Sequence, residues 1–123
     1  PSGTMRTKTS KIEVPIWGAE IKLVITSDPT SYKNRIGGKE EREYDGDNDD
    51  IAEAWFLHDD PDTKNYILIL EHNADGYLVV HESIHAALMI LDTCGQDYSS
   101  KNDEALTYLA SFIYEQIVKR LKR

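Results

Sequence analysis

The stretch YLVVHESIHAAL at positions 77–88 constrains this chain more than any other. Apolar residues at Val80, Ile84, Ala87, Leu88 and Leu91 recur at steps of four, three, one and three, the period of one helix face. The pattern predicts a long helix that begins after the NADG turn at 73–76 and is capped by Gly95. Into this apolar background it sets His81, Glu82 and His85. A spacing of four on a helix turns by about 40° and climbs about 6 Å, so two imidazoles can approach one ion from the same side. Glu82 is rotated by about 100° from His81. It can reach a water held by that ion without binding the ion itself. Apolar neighbours exclude bulk water and strengthen the field at such an ion.

The 123 residues match a single domain spanning 1–123, and 40% hydrophobic content is enough for one modest core. Residues 1–4, PSGT, precede Met5 and read as an expression scar, with Met5 as the natural start. The segment after Met5 has no apolar run of signal-peptide length, and no stretch approaches the ~20 apolar residues of a membrane span. The expectation is a cytoplasmic protein without membrane contact. A lone cysteine, Cys94, excludes an internal disulfide and a thiolate zinc knuckle. It reads as a small apolar filler near a helix end. A net charge of −8 argues against nonspecific nucleic-acid binding, which needs a basic footprint. The basic segment KRLKR at 119–123 suits the cationic last turn of a helix.

Residues 11–17 (KIEVPIW) and 19–26 (AEIKLVIT) alternate apolar and polar positions and predict a β-hairpin turning at Trp17-Gly18, with Pro15 at an edge. The polar stretch 27–50, with Pro29, Gly37-Gly38 and a run of charges, reads as a loop. Residues 51–59 and 66–72 (YILILEH) read as strands, the second the stronger. A second helix places Leu106, Leu109, Ala110, Ile113, Ile117 and Leu121 on one face, with Ser100 and Asp103 resembling a capping box. Strands followed by two helices predict an α+β fold, a minimal zincin-like layout. In it an N-terminal, mostly antiparallel sheet is covered on one face by the active-site helix and a C-terminal helix.

HESIH lies in a strongly periodic helix, follows a strand, and is followed by Glu104 in KNDEALTYLA, with eighteen residues between His85 and Glu104. With these residues in view, HESIH…NDEALTYLA resembles the glutamate-type HExxH zinc metallopeptidases, the gluzincins. It is also similar to small HExxH proteins encoded by bacteriophages and their hosts. The resemblance covers about residues 66–114. It implies zinc held by His81, His85 and Glu104, a metal-bound water in the fourth position, and Glu82 as the general base. No HxxGxxH extension follows the motif and no Met-turn appears, which argues against the metzincin type. For Glu104 to reach the ion, the connection at 96–102 has to run back along the first helix; otherwise Tyr108, Asp97 or Asp92 becomes the partner, with Asp103 a further alternative.

Tyr108 lies one turn beyond Glu104 and could donate a hydrogen bond to an oxyanion; packing on the helix surface is the plainer role. The same two readings apply to Tyr77, one turn before His81. His58 and His72 lie near strand ends and read as exposed loop histidines. The alternating carboxylates of DGDNDD at 45–50 lack the twelfth-position glutamate of an EF-hand and read as a solvated acidic loop. The leading functional expectation is a zinc-dependent hydrolase, a small peptidase acting on a peptide or protein, whose strand at 66–72 holds substrate by strand addition if it forms an edge. Two alternatives stand beside it: a metal-stabilised accessory or interaction protein, for instance a phage regulatory or anti-host factor, and a structural domain without metal.

Overall fold

Five successive apolar residues, Tyr66–Leu70, can all be buried in a strand only if both faces of its sheet are covered. The computed structural model, which describes residues 6–36, 54–59, 63–95 and 103–122, has this arrangement. The elements are β1 (Thr7–Val14), β2 (Ala19–Thr26), α1 (Pro29–Arg35), β3 (Ala54–His58), β4 (Asn65–Glu71), α2 (Gly76–Thr93) and α3 (Asp103–Leu121). They make an α+β fold around a four-stranded sheet of order β1-β2-β4-β3. The pairs β1–β2 and β3–β4 are antiparallel, whereas β2 and β4 run parallel, with Leu23 opposite Leu68 and Ile25 opposite Leu70. β4 is therefore central, and the condition for strand addition, an edge position, is not met. Its backbone groups are engaged on both sides, and strand addition onto β4 is closed.

The hairpin turn lies at residues 15–18. Trp17 N–H donates to the Pro15 carbonyl at 2.7 Å, and the turn takes left-handed backbone at Ile16 (φ 72°) and Gly18 (φ 66°). Gly18 has no Cβ to oppose that geometry, whereas Ile16, β-branched and 77% exposed, adopts it against its preference. β1 ends at Val14, so Pro15 opens the turn instead of occupying an edge of the strand.

A helix forms within the stretch expected to be loop. Asp28 accepts the Ser31 N–H at 3.2 Å, and Pro29 opens α1. An aspartate cap followed by proline is a favoured helix start. Tyr32 of α1 and Trp55 pack over Val24, Leu57, Ile67 and Ile69 on one sheet face. Lys33 lies over the Trp55 ring at 4.4 Å. On the other face, Ile12, Ile21, Leu23, Phe56 and Leu68 meet α2 and α3 to form the main core.

Asp75 caps α2 by accepting the Leu78 N–H at 3.0 Å, and Gly95 follows the helix in left-handed backbone (φ 75°), as its C-terminal role predicts. The Tyr66 hydroxyl donates to Thr93 at 2.7 Å and ties the end of α2 to the sheet. The face of α2 turned inward differs from the expected one. Val80 and Ile84 are 44% and 42% exposed, while Leu78, Val79, Glu82, Ser83, Ala86, Ala87, Ile90 and Leu91 are buried. The small side chains Ser83, Ala86 and Ala87 lie on the buried face, while the larger apolar Val80 and Ile84 lie off it. In α3 the expected face is the buried one, centred on Leu109, Ile113 and Ile117. The segment 37–53, with Gly37-Gly38, DGDNDD and the start of the strand expected at 51–59, lies outside the described residues. So does the connection at 96–102, with Asp97 and Ser100.

Candidate metal centre

His81 and His85 emerge from consecutive turns of α2, half-buried, with ring centroids 4.8 Å apart and ring planes at 62°. The helix itself sets this separation, since positions four apart lie one above the other on a helix surface. Tyr77, 75% exposed, lies a turn earlier with its ring 6.2 Å from His81. The Nε2 atom of His81 is buried.

Glu82 turns inward. It is fully buried, and among the described residues neither carboxylate oxygen has a hydrogen-bond partner. Burial pushes its carboxyl up from an ordinary 4.5 to about 7. An isolated carboxylate in such surroundings is costly; it stays protonated, or it meets a cation. Its neighbour Ser83 shows the ordinary solution for a buried polar group: the hydroxyl donates to the Val79 carbonyl at 2.7 Å. The contrast sets Glu82 apart from Ser83: both are buried on α2, and only the serine finds a hydrogen-bond partner among the described residues.

The other expected residues are dispersed. Glu104 and Asp103 lie exposed in the first turn of α3 and Asp92 lies exposed near the end of α2. No group of three or more His, Cys, Asp or Glu side chains able to hold an ion converges among the described residues, so Glu104 is not gathered with the two histidines. α3 runs back along α2: its last residues share a pocket with His72, just before α2, while Tyr108 and Cys94 both lie against Trp17. Tyr108, 49% exposed, has its ring 6.1 Å from that of Trp17, the packing role. His58 is not a free loop histidine. It stacks on Tyr66 at 4.6 Å, and its Nε2 lies 3.0 Å from the Thr63 carbonyl oxygen. His72 is exposed, as expected. Cys94 is half-buried against the core at the end of α2, as a filler would be.

Sequence reasoning did not find the groove beside the motif. Val80 and Ile84 of α2 face Leu106, Ala110 and Tyr114 of α3 across an open cleft of about 450 Å³. No local signal separates such residues from core, because their spacing is that of a buried face. No helix among the described residues is long and apolar enough to cross a membrane. The chain matches no protein-family model, no curated protein and no solved structure.

Proposed function

We propose that the protein is a small metallohydrolase that cleaves amide bonds in a peptide or protein, with His81 and His85 holding a zinc ion and Glu82 moving the proton. The observation that carries this reading is the pairing of two adjacent imidazoles with a buried carboxylate that has no hydrogen-bond partner among the described residues. Two neutral imidazoles from one helix are a frequent part of zinc sites, and a nearby cation offsets the cost of an ionised Glu82. Zinc bound here would polarise the substrate carbonyl and make water acidic enough to attack near neutral pH.

The chain's own contribution centres on Glu82. Burial raises its carboxyl in the metal-free chain, and a zinc ion beside it would lower it again; in that state an ionised Glu82 would take a proton from the attacking water and return it to the leaving amine. The walls around it hold that exchange away from bulk solvent. Glu104 remains the proposed third ligand by resemblance to the glutamate-type enzymes, and reaching the ion requires it to move from its exposed position. A Glu82→Gln variant that holds zinc like the wild type but no longer cleaves a peptide library is the expected result. Equal cleavage by both proteins overturns the assignment.

A second reading, a metal-stabilised interaction protein without hydrolysis, is favoured by one observation. The cleft between α2 and α3 is apolar and open, with Tyr114 at 36% exposure beside Val80 and Ile84. Zinc-loaded wild type that cleaves no member of the library supports that reading.

A further inference from the structure

A pocket that neither His81 nor His85 lines gathers Arg6, Lys8 and Arg120 in a chain whose net charge is −8. Arg6 and Lys8 enter it from β1 and its lead-in, His72 from the turn after β4, and Arg120 from the last turn of α3. None of its described lining residues is acidic. A cationic last turn compensates the dipole of α3 and accounts for Arg120, but it accounts for neither Arg6 nor Lys8 nor His72. Arg6 from the lead-in to β1 and Arg120 from α3 share this pocket, and two like charges brought together repel unless an anion sits between them.

The site is also prepared. Arg120 Nη1 donates to the carbonyl of Gln116 at 3.0 Å and to its Oε1 at 2.8 Å, while Nη2 donates to the Lys11 carbonyl at 3.2 Å. These neutral acceptors fix the guanidinium without cancelling its charge, and two of its five N–H donors stay available. Neither Arg6 nor Arg120 forms an ion pair among the described residues. Ile25 and Leu121 add apolar wall. The pocket measures about 460 Å³, the size of a small-molecule site and much larger than an inorganic anion needs.

We propose that this pocket binds a small organic phosphate, its phosphate among Arg6, Lys8 and Arg120 and its organic body against Ile25 and Leu121. A phosphate fits better than a monocarboxylate because guanidinium donors match its oxygens and a dianion meets several cations at once. A small molecule fits better than a nucleic acid because the pocket is a single concavity of about 460 Å³ on a chain whose net charge is −8.

The test is calorimetric titration of the full chain with phenyl phosphate, benzoate, inorganic phosphate and a short single-stranded DNA, followed by amide NMR. Saturable one-to-one binding of phenyl phosphate is expected, tighter than benzoate or inorganic phosphate, with the largest shifts at residues 6–8, 72 and 120–121. Arg120→Gln removes a bond to Lys11 as well as charge, so the decisive variant is the exposed pair Arg6→Gln with Lys8→Gln. It is expected to weaken phenyl phosphate at least tenfold with Tm unchanged. No saturation by about 10 mM in low salt, equal affinity for benzoate, tighter binding of the DNA, or an unaffected double variant each overturns the proposal.

Discussion

The two long helices are nearly equal in length, 18 residues in α2 and 19 in α3, yet they satisfy opposite rules. α3 buries only apolar side chains, Leu109, Ile113 and Ile117, and keeps its charges outside. α2 buries a carboxyl group and a hydroxyl, and leaves Val80 and Ile84 in contact with solvent. A helix shaped by packing alone would look like α3. The departures of α2 centre on HESIH, and local rules tend to be broken where a site needs the residue more than the fold does. On the proposed reading α3 serves packing alone, whereas α2 combines packing, through Leu78, Val79, Ala86, Ala87, Ile90 and Leu91, with the candidate site.

The comparison breaks first on activity. Glu82→Gln is expected to lower peptide cleavage by about 10²- to 10⁴-fold, the usual contribution of a positioned acid–base group, measured as kcat/KM at fixed zinc. A matching loss from a mutation in the buried stripe of α3, with folding intact, would erase the division of labour. The second effect is on stability. Ile113→Ala is expected to cost about 2–5 kcal/mol in urea unfolding, because it empties a fully buried position.

A third expectation concerns pH in the metal-free protein. The carboxyl of folded Glu82 lies above its ordinary value, so the native state holds the proton more tightly than the unfolded chain does. Stability from this group is complete below pH 4.5, falls as pH rises through the interval up to about 7, and stays reduced above it. At 1.36 kcal/mol for each pH unit, the loss over that interval is about 3 kcal/mol. Glu82→Gln has no proton to lose, and the difference between its unfolding curve and that of the wild type is expected to follow this interval. Parallel curves would mean that the buried carboxyl does not titrate there. The smallest effect belongs to the cleft wall: Ile84→Ser is expected to cost about 1 kcal/mol, well below Ile113→Ala, since its side chain is 42% exposed.

Much of this arrangement is legible in the sequence where one local signal dominates. β2 begins and ends as its alternation predicts, and the buried stripe of α3 follows its apolar spacing. Position 95 takes left-handed backbone, as a glycine ending a helix should. Three features were hidden for physical reasons. α1 is only seven residues long, too short to show a period, although Asp28-Pro29 marks its start. The central place of β4 depends on its parallel pairing with β2 across a crossover, and the composition of β4 does not encode its neighbours. The orientation of α2, which buries Glu82 together with small Ser83, Ala86 and Ala87, is hidden because the apolar spacing places Val80 and Ile84 on the inward face. The histidine pair is visible in both descriptions because helix geometry alone fixes it. The gathering of a third ligand depends on tertiary placement, which spacing along the chain does not fix.

The most direct measurement is zinc binding by the metal-stripped full chain, followed by calorimetry and checked by elemental analysis after gel filtration. One zinc per chain, with affinity reduced by orders of magnitude in His81→Ala/His85→Ala while far-UV circular dichroism is retained, is the predicted result. A wild-type chain that retains no zinc, or a double variant that holds it as tightly, would contradict the assignment of α2 to metal chemistry.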